Sequence, residues 1–150
     1  MMGRTRSIRP GFFLNEKLAE VEPLGRLLFA GLWTIADKRG RLEDRPRRIK
    51  AELLPYDDCD VDNLLNELST GGFIHRYIVN GERYIEIVNF EKHQHCPGSE
   101  AESTIPASND AGAQILAQSA QDIAQHAQDV VPVSCISYLV SCKKDNADAL

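Results

Sequence analysis

The chain has no C-x-x-C pair, no P-loop, no G-x-G-x-x-G turn, no nucleophile elbow and no H-E-x-x-H helix. Those absences remove the common sequence routes to zinc-ribbon, nucleotide-hydrolysing, dinucleotide-binding, serine-hydrolase and metalloprotease chemistry. The four cysteines, Cys59, Cys96, Cys135 and Cys142, lie far apart and read as reduced thiols of a cytoplasmic protein. After the cationic start Met1-Met2-Gly3-Arg4-Thr5-Arg6 there is no apolar run long enough for export or for spanning a bilayer. A cytoplasmic location without membrane contact is expected. His93-Gln94-His95-Cys96, with Glu91 beside it, offers good ligand types but no second cluster to complete a tetrahedron. Asp57, Asp58, Asp60 and Asp62 lack the glycine and terminal glutamate of a calcium loop. No metal, no cofactor and no enzymatic activity are expected.

What is present is average in bulk and uneven in layout. The 150 residues are 43% hydrophobic and 26% charged, which suits one ordinary domain and a tail. The net charge of -5 conceals a gradient. Residues 1–50 hold 12 Lys/Arg against 6 Asp/Glu, residues 51–96 hold 3 against 9, and residues 97–150 hold 2 against 7. Attraction to phosphate depends on where cations face, so a basic first third is compatible with a polyanionic partner.

The clearest local signal is Asn80-Gly81, flanked by the β-type runs Phe73–Val79 and Glu82–Val88. A two-residue turn there sets residues whose numbers add to 161 opposite each other. Tyr77 then faces Tyr84 and His75 faces Glu86 on one side, while Ile74 meets Ile87 and Arg76 meets Ile85 on the other, the side expected to cover the helices. His75 and Glu86 read as a surface pair.

Three helical patterns precede the hairpin. Pro23 opens the first, in which Leu24, Leu27, Leu28, Gly31, Leu32 and Ile35 repeat at three and four, widened by Phe29 and Trp33, up to about Asp37. Trp33 is read as core. Lys38-Arg39-Gly40 stops this helix, and Arg41-Leu42-Glu43 is short enough to be an added strand against the hairpin. Asp44 is placed to cap a second helix, with Pro46 in its first turn, Ile49 and Leu53 inward, and Arg45, Arg47, Arg48 and Lys50 outward. Asp60 caps a third, with Val61, Leu64, Leu65 and Leu68 on one face and Gly71-Gly72 at its end. Before all of these, Arg4, Arg6 and Arg9 lead into Pro10-Gly11-Phe12-Phe13-Leu14, a basic arm whose apolar end should be buried.

Helices followed by a closing hairpin form the layout of a winged helix-turn-helix. The expected fold is therefore α+β: three helices plus a C-terminal β-hairpin wing over residues 1–96. Pro97-Gly98-Ser99 then opens a low-complexity, largely disordered tail, 97–150, with a weak helix at 111–131 and an apolar, β-prone segment from Val130 to Cys142.

In this fold the last helix before the wing usually enters the major groove. Here it carries Asp60, Asp62 and Glu67, no cation, and only Asn63 and Asn66 as candidate base readers. Contact with double- or single-stranded DNA is therefore assigned to the backbone-binding cations Arg41, Arg45, Arg47, Arg48 and Lys50, the arm arginines Arg4, Arg6 and Arg9, and the wing residues Asn80 and Arg83. The alternatives are a dimeric transcriptional regulator on the same fold, or a protein-interaction module that uses the acidic third helix.

Several segments together resemble a known family. They are Arg6-Ser7-Ile8-Arg9-Pro10-Gly11-Phe12-Phe13, Leu27–Trp33, Ala36–Leu42, Asp44-Arg45-Pro46 and Leu54–Val61. Over roughly residues 4–96 they look like the N-terminal winged-helix domain of phage and prophage replisome organisers, similar in kind to the phage O protein and the DnaD group. The resemblance implies binding of origin or primosomal DNA in a bacterial host cell, in replication initiation, while a C-terminal region recruits the replicative helicase or its loader. The tail of this chain has no recognisable helicase-interaction domain.

Overall fold

The computed structural model describes residues 3–110 and 112–116. Two single-turn helices, α1 (Gly11–Leu14) and α2 (Glu16–Ala19), precede α3 (Pro23–Ile35). Pro23 sits in the first turn of α3, where its missing N–H costs nothing. Leu28, Phe29, Leu32, Trp33 and Ile35 are buried along one side of that helix, as the spacing predicts. Leu27 departs from the expectation: it is exposed, because it falls at the margin of the stripe where no neighbouring element covers it. The arm's apolar end is also only partly buried. Phe12 packs against Phe29 and Trp33, while Phe13 and Leu14 remain 74% and 79% exposed on a helix with no buried residue.

Strand β1 (Arg41–Glu43) is followed by α4 (Pro46–Leu53) and α5 (Val61–Thr70). The Asp60 carboxylate accepts hydrogen bonds from the Asp62 and Asn63 amides and so starts α5, whose Val61, Leu64, Leu65 and Leu68 are all buried. Asp44 does not cap α4. The residue at that position is Arg45, with no side-chain cap bond, and Asp44 is buried in an ion pair described below.

Strands β2 (Ile74–Val79) and β3 (Glu82–Ile87) pair in the register set by the Asn80-Gly81 turn, with Tyr77 opposite Tyr84 and Arg76 opposite Ile85. Both turn residues adopt positive φ, 52° and 84°, the geometry that matches the twist of the flanking strands. β1 adds to the outer edge of β3, and helix α6 (Phe90–His93) follows the hairpin. The sheet order is β1-β3-β2-β4, antiparallel throughout, with β4 formed by Gln114–Ile115.

That last strand corrects the expected boundary at residue 97. Instead of forming a free tail, residues 105–110 and 112–116 lie across the second face and edge of the hairpin, while Glu100, Glu102 and Ser103 reach the arm and the α3–β1 turn. The Tyr77 hydroxyl donates to the Pro106 carbonyl at 2.7 Å, the Ser108 amide donates to Glu86 at 3.1 Å, and the Leu116 amide donates to the Arg76 carbonyl at 2.8 Å. Tyr77 is fully buried as a result. Gln114 and Ile115 are extended, so the start of the expected helix at 111–131 is replaced by a strand edge. The rest of that helix, and the segment Val130–Cys142, lie outside the described residues. Among the described residues no helix is long and apolar enough to cross a membrane.

Gly40 is the point where the α3–β1 turn meets α6. Its φ is +76°, and a Cβ there would stand 2.5 Å from Phe90 Cβ and Cγ. Gly40→Ala is therefore expected to lower unfolding free energy by about 2–4 kcal/mol, combining left-handed strain with overpacking against a buried ring. Urea denaturation of the two proteins measures the difference.

Candidate nucleic-acid interface

Arg76 points from β2 into the interface with the helices and is 3% exposed. Its Nε and Nη2 donate to the two Asp44 oxygens at 2.9 Å each, Nη2 also reaches Asp62 Oδ1 at 2.7 Å, and Nη1 donates to Asn66 Oδ1. Burial works against the guanidinium charge, and the hydrogen bonds Arg76 donates to Asp44 and Asp62, with their charges, more than offset it. Arg83 Nη2 approaches Asp44 from the solvent side at 3.4 Å. One buried pair thus fixes the β1–α4 junction, α5 and the hairpin relative to each other.

This network removes Asn66 from the candidate base readers, since its carbonyl oxygen is committed inward. Asn63 is exposed, with its amide directed to Glu67 at 3.3 Å. Asn80 is exposed at the hairpin tip.

The cations divide sharply by environment. Arg6 is 3% exposed in its side chain, donates to Glu100 and to the Trp33 carbonyl, and lies 5.4 Å over the Phe90 ring. Arg4 pairs with the same Glu100 at 2.8 Å and donates to the Ala36 carbonyl. Arg41 is held by Glu86 at 3.1 Å and by the Ile105 carbonyl. These three arginines, expected at a DNA surface, fasten the arm and the 97–116 segment to the domain. Lys50 is turned toward the end of its own helix, where Nζ donates to the Asp57 carbonyl at 2.6 Å.

Arg45, Arg47, Lys50 and Arg83 do converge. They line an open cleft of about 860 Å³ between the start of α4, the α4–α5 turn and the hairpin. Asp58, Asp60 and Asp62 line the same cleft. Arg47 is exposed and has no ion-pair partner among the described residues, whereas Arg45 pairs with Glu43 at 2.9 Å in an exposed position. Arg48 lies outside the cleft and pairs with Glu52 one helical turn away. Arg9 is also exposed and lines a separate pocket beside the arm.

Sequence reasoning missed Asp44 and Glu100 as anchors. A usable signal existed for the first: an arginine registered opposite Ile85 on the core-facing side requires a buried acid, and few acids lie within reach. For Glu100 there was no local signal, because its partner is 94 residues away.

Two outcomes follow from these contacts. Asp44→Ala leaves the Arg76 charge buried without its main partner and should cost about 3–5 kcal/mol in urea denaturation. Asp62→Ala, at a site half open to water, should cost clearly less. The second concerns acid. Burial alone would raise the Glu86 pKa, but hydrogen bonds from Ser108 and Arg41 outweigh it and bring it below the usual range. The Arg6 hydrogen bond, against some desolvation, does the same for Glu100. A depressed carboxylate contributes stability in full above its unfolded pKa of about 4.3, and that contribution is lost as pH falls through the folded value. As pH falls below about 4.3 and through those lower folded values, residues 97–110 and 112–116 should therefore loosen, read as lost exchange protection at the Ser108 and Leu116 amides.

Among the described residues, no group of three or more His, Cys, Asp and Glu side chains is placed to hold a metal ion. Compared with protein-family models, curated proteins and solved structures, the chain matches none.

Proposed function

We propose that residues 3–116 form a winged-helix domain that binds DNA through its phosphate backbone, with the β2–β3 hairpin as the wing, in the setting of phage-type replication initiation. The observation that carries this reading is the convergence of Arg45 and Arg47, at the start of α4, with Arg83 of the hairpin on one open cleft. Phosphate binding needs several cations on rigid elements so that one backbone engages them together. The uncapped first turn of α4 adds the positive end of a helix dipole at the same place.

Competition from internal ion pairs is weak at Arg45 and at Arg47, whereas Arg83 keeps its 3.4 Å contact with buried Asp44. The Arg45–Glu43 pair is exposed on both sides, and such pairs contribute only about 0–1 kcal/mol, so exchanging Glu43 for a phosphate costs little. The same exchange at buried Arg6 would strand a charge. The carboxylates of Asp58, Asp60 and Asp62 repel a duplex pressed deep into the cleft, and α5 offers Asn63 alone as an exposed reader. Binding is therefore backbone-dominated and tolerant of sequence. The setting in replication rests on the resemblance of residues 4–96 to replisome organisers, and recruitment of a helicase or loader would fall to residues beyond the described ones.

About three phosphate contacts correspond to a slope of log affinity against log salt near -2.7 for duplex and near -2.1 for single strands. In a titration of the full chain with both DNA forms, Arg47→Ala should flatten the duplex slope by about 0.9, and Arg48→Ala should leave it unchanged. Absence of measurable affinity at low salt would sink the reading. The acidic lining of the cleft would then be its working surface, suited to a basic protein segment.

A further inference from the structure

A second concavity, of about 540 Å³, lies between the arm, the end of α5, the end of β3 and α6. Its floor is aromatic: Phe29 and Trp33 from α3, and Phe90 from α6. Phe12 and Phe73 stand on either side of Phe29, at centroid distances of 6.4 and 5.5 Å, and both are only half-buried. Phe13 meets Phe12 edge to face at 5.2 Å and projects into solvent. Around the mouth stand Arg9, Lys17 and His93, all exposed, and no Asp or Glu lines the pocket. This differs from the α4 cleft, where three carboxylates share the lining with the cations.

We infer that this pocket binds unpaired bases of single-stranded nucleic acid. Sequence-tolerant single-strand sites combine accessible aromatic faces, on which bases stack, with cations that follow the backbone. Phe12 and Phe73 supply the first, with the solvent-facing Phe13 ring beside Phe12, and Arg9 and Lys17 supply the second, with the His93 imidazole as a further polar group at the rim. The two cations stand on separate elements, Arg9 ahead of α1 and Lys17 in α2, which suits successive phosphates of a chain better than a single small anion. A duplex cannot use the site, because its bases are stacked and paired. The inference does not depend on the α4 cleft.

Trp33 is the single tryptophan of the chain and lies 5.4 Å from Phe12, so it reports on the pocket directly. Titrating the full chain with a ten-residue oligothymidylate at low salt should quench Trp33 emission saturably. The matching duplex should quench it far less. Phe13→Ala, at a solvent-facing ring, should weaken the apparent affinity by about tenfold or more. Arg9→Glu with Lys17→Glu, both exposed and outside the core, should abolish the quenching while circular dichroism stays native. Arg47→Ala should leave it intact, so failure of the cleft reading and failure of this one are separable. Three results would overturn the inference: no quenching by the oligonucleotide, quenching that persists in the double charge reversal, or self-association through the exposed Phe13 and Leu14 that accounts for any emission change in sedimentation at matched concentrations.

Discussion

The Arg76–Asp44 pair is the constraint on which the arrangement of this domain rests. Moving each ion out of water costs several kcal/mol, and the cost is met only when geometry and supplementary hydrogen bonds are good. Here both Asp44 oxygens face the guanidinium, and Asp62 and Asn66 engage its remaining donors. An apolar residue at position 76 would pack against the helices without specifying their azimuth. A guanidinium with three partners from two segments specifies it, because rotating α5 by one residue would withdraw Asp62 and Asn66 together.

The functional consequence runs through α5. The polar groups that could have faced a DNA groove are turned inward to satisfy Arg76, and what remains outside is acidic or amide. Structure and recognition therefore compete for the same residues on this helix, and structure holds them. On the proposed reading, phosphate contact falls to the start of α4 and to Arg83, which stands near enough to Asp44 for the buried pair to orient it.

The features readable from the sequence are the local ones. The hairpin register follows from two turn residues, the start of α5 from an aspartate two and three positions before the amides it accepts from, and the buried stripe of α5 from spacing alone. The expectations that failed depend on partners remote in sequence. Asp44 looks like a cap because serine-like chemistry at a helix start is common, yet a partner 32 residues on claims it. Residues 97–116 look like a linker because their own side chains are small or polar, but their carbonyls and Glu100 are what Tyr77, Arg41 and Arg6 need. Low complexity describes the side chains of a segment and leaves its backbone hydrogen bonds unread.

The same contacts change the meaning of the charge gradient. The basic first third and the acidic remainder suggest a positive face awaiting a polyanion, but much of that complementarity is spent internally: Arg4 and Arg6 on Glu100, Lys38 on Glu102, Arg39 on Glu91, Arg41 on Glu86. Among the described residues, Arg47 at the α4 cleft and Arg9 and Lys17 at the arm pocket have no ion-pair partner, and Arg26 and Lys92 stand unpaired elsewhere. At physiological ionic strength charges beyond about 8 Å are screened, so on the proposed reading a phosphate at either place would feel the local cations and little of the net charge of -5. At low salt the screening length grows and the whole acidic molecule begins to repel the polyanion. If the proposed binding holds, lowering salt would strengthen each local contact while admitting a longer-range opposing field, so the gain in affinity would flatten at the dilute end. A domain with the same cleft and a neutral surface would show no such flattening, which makes the curvature a signature of this particular division of charge.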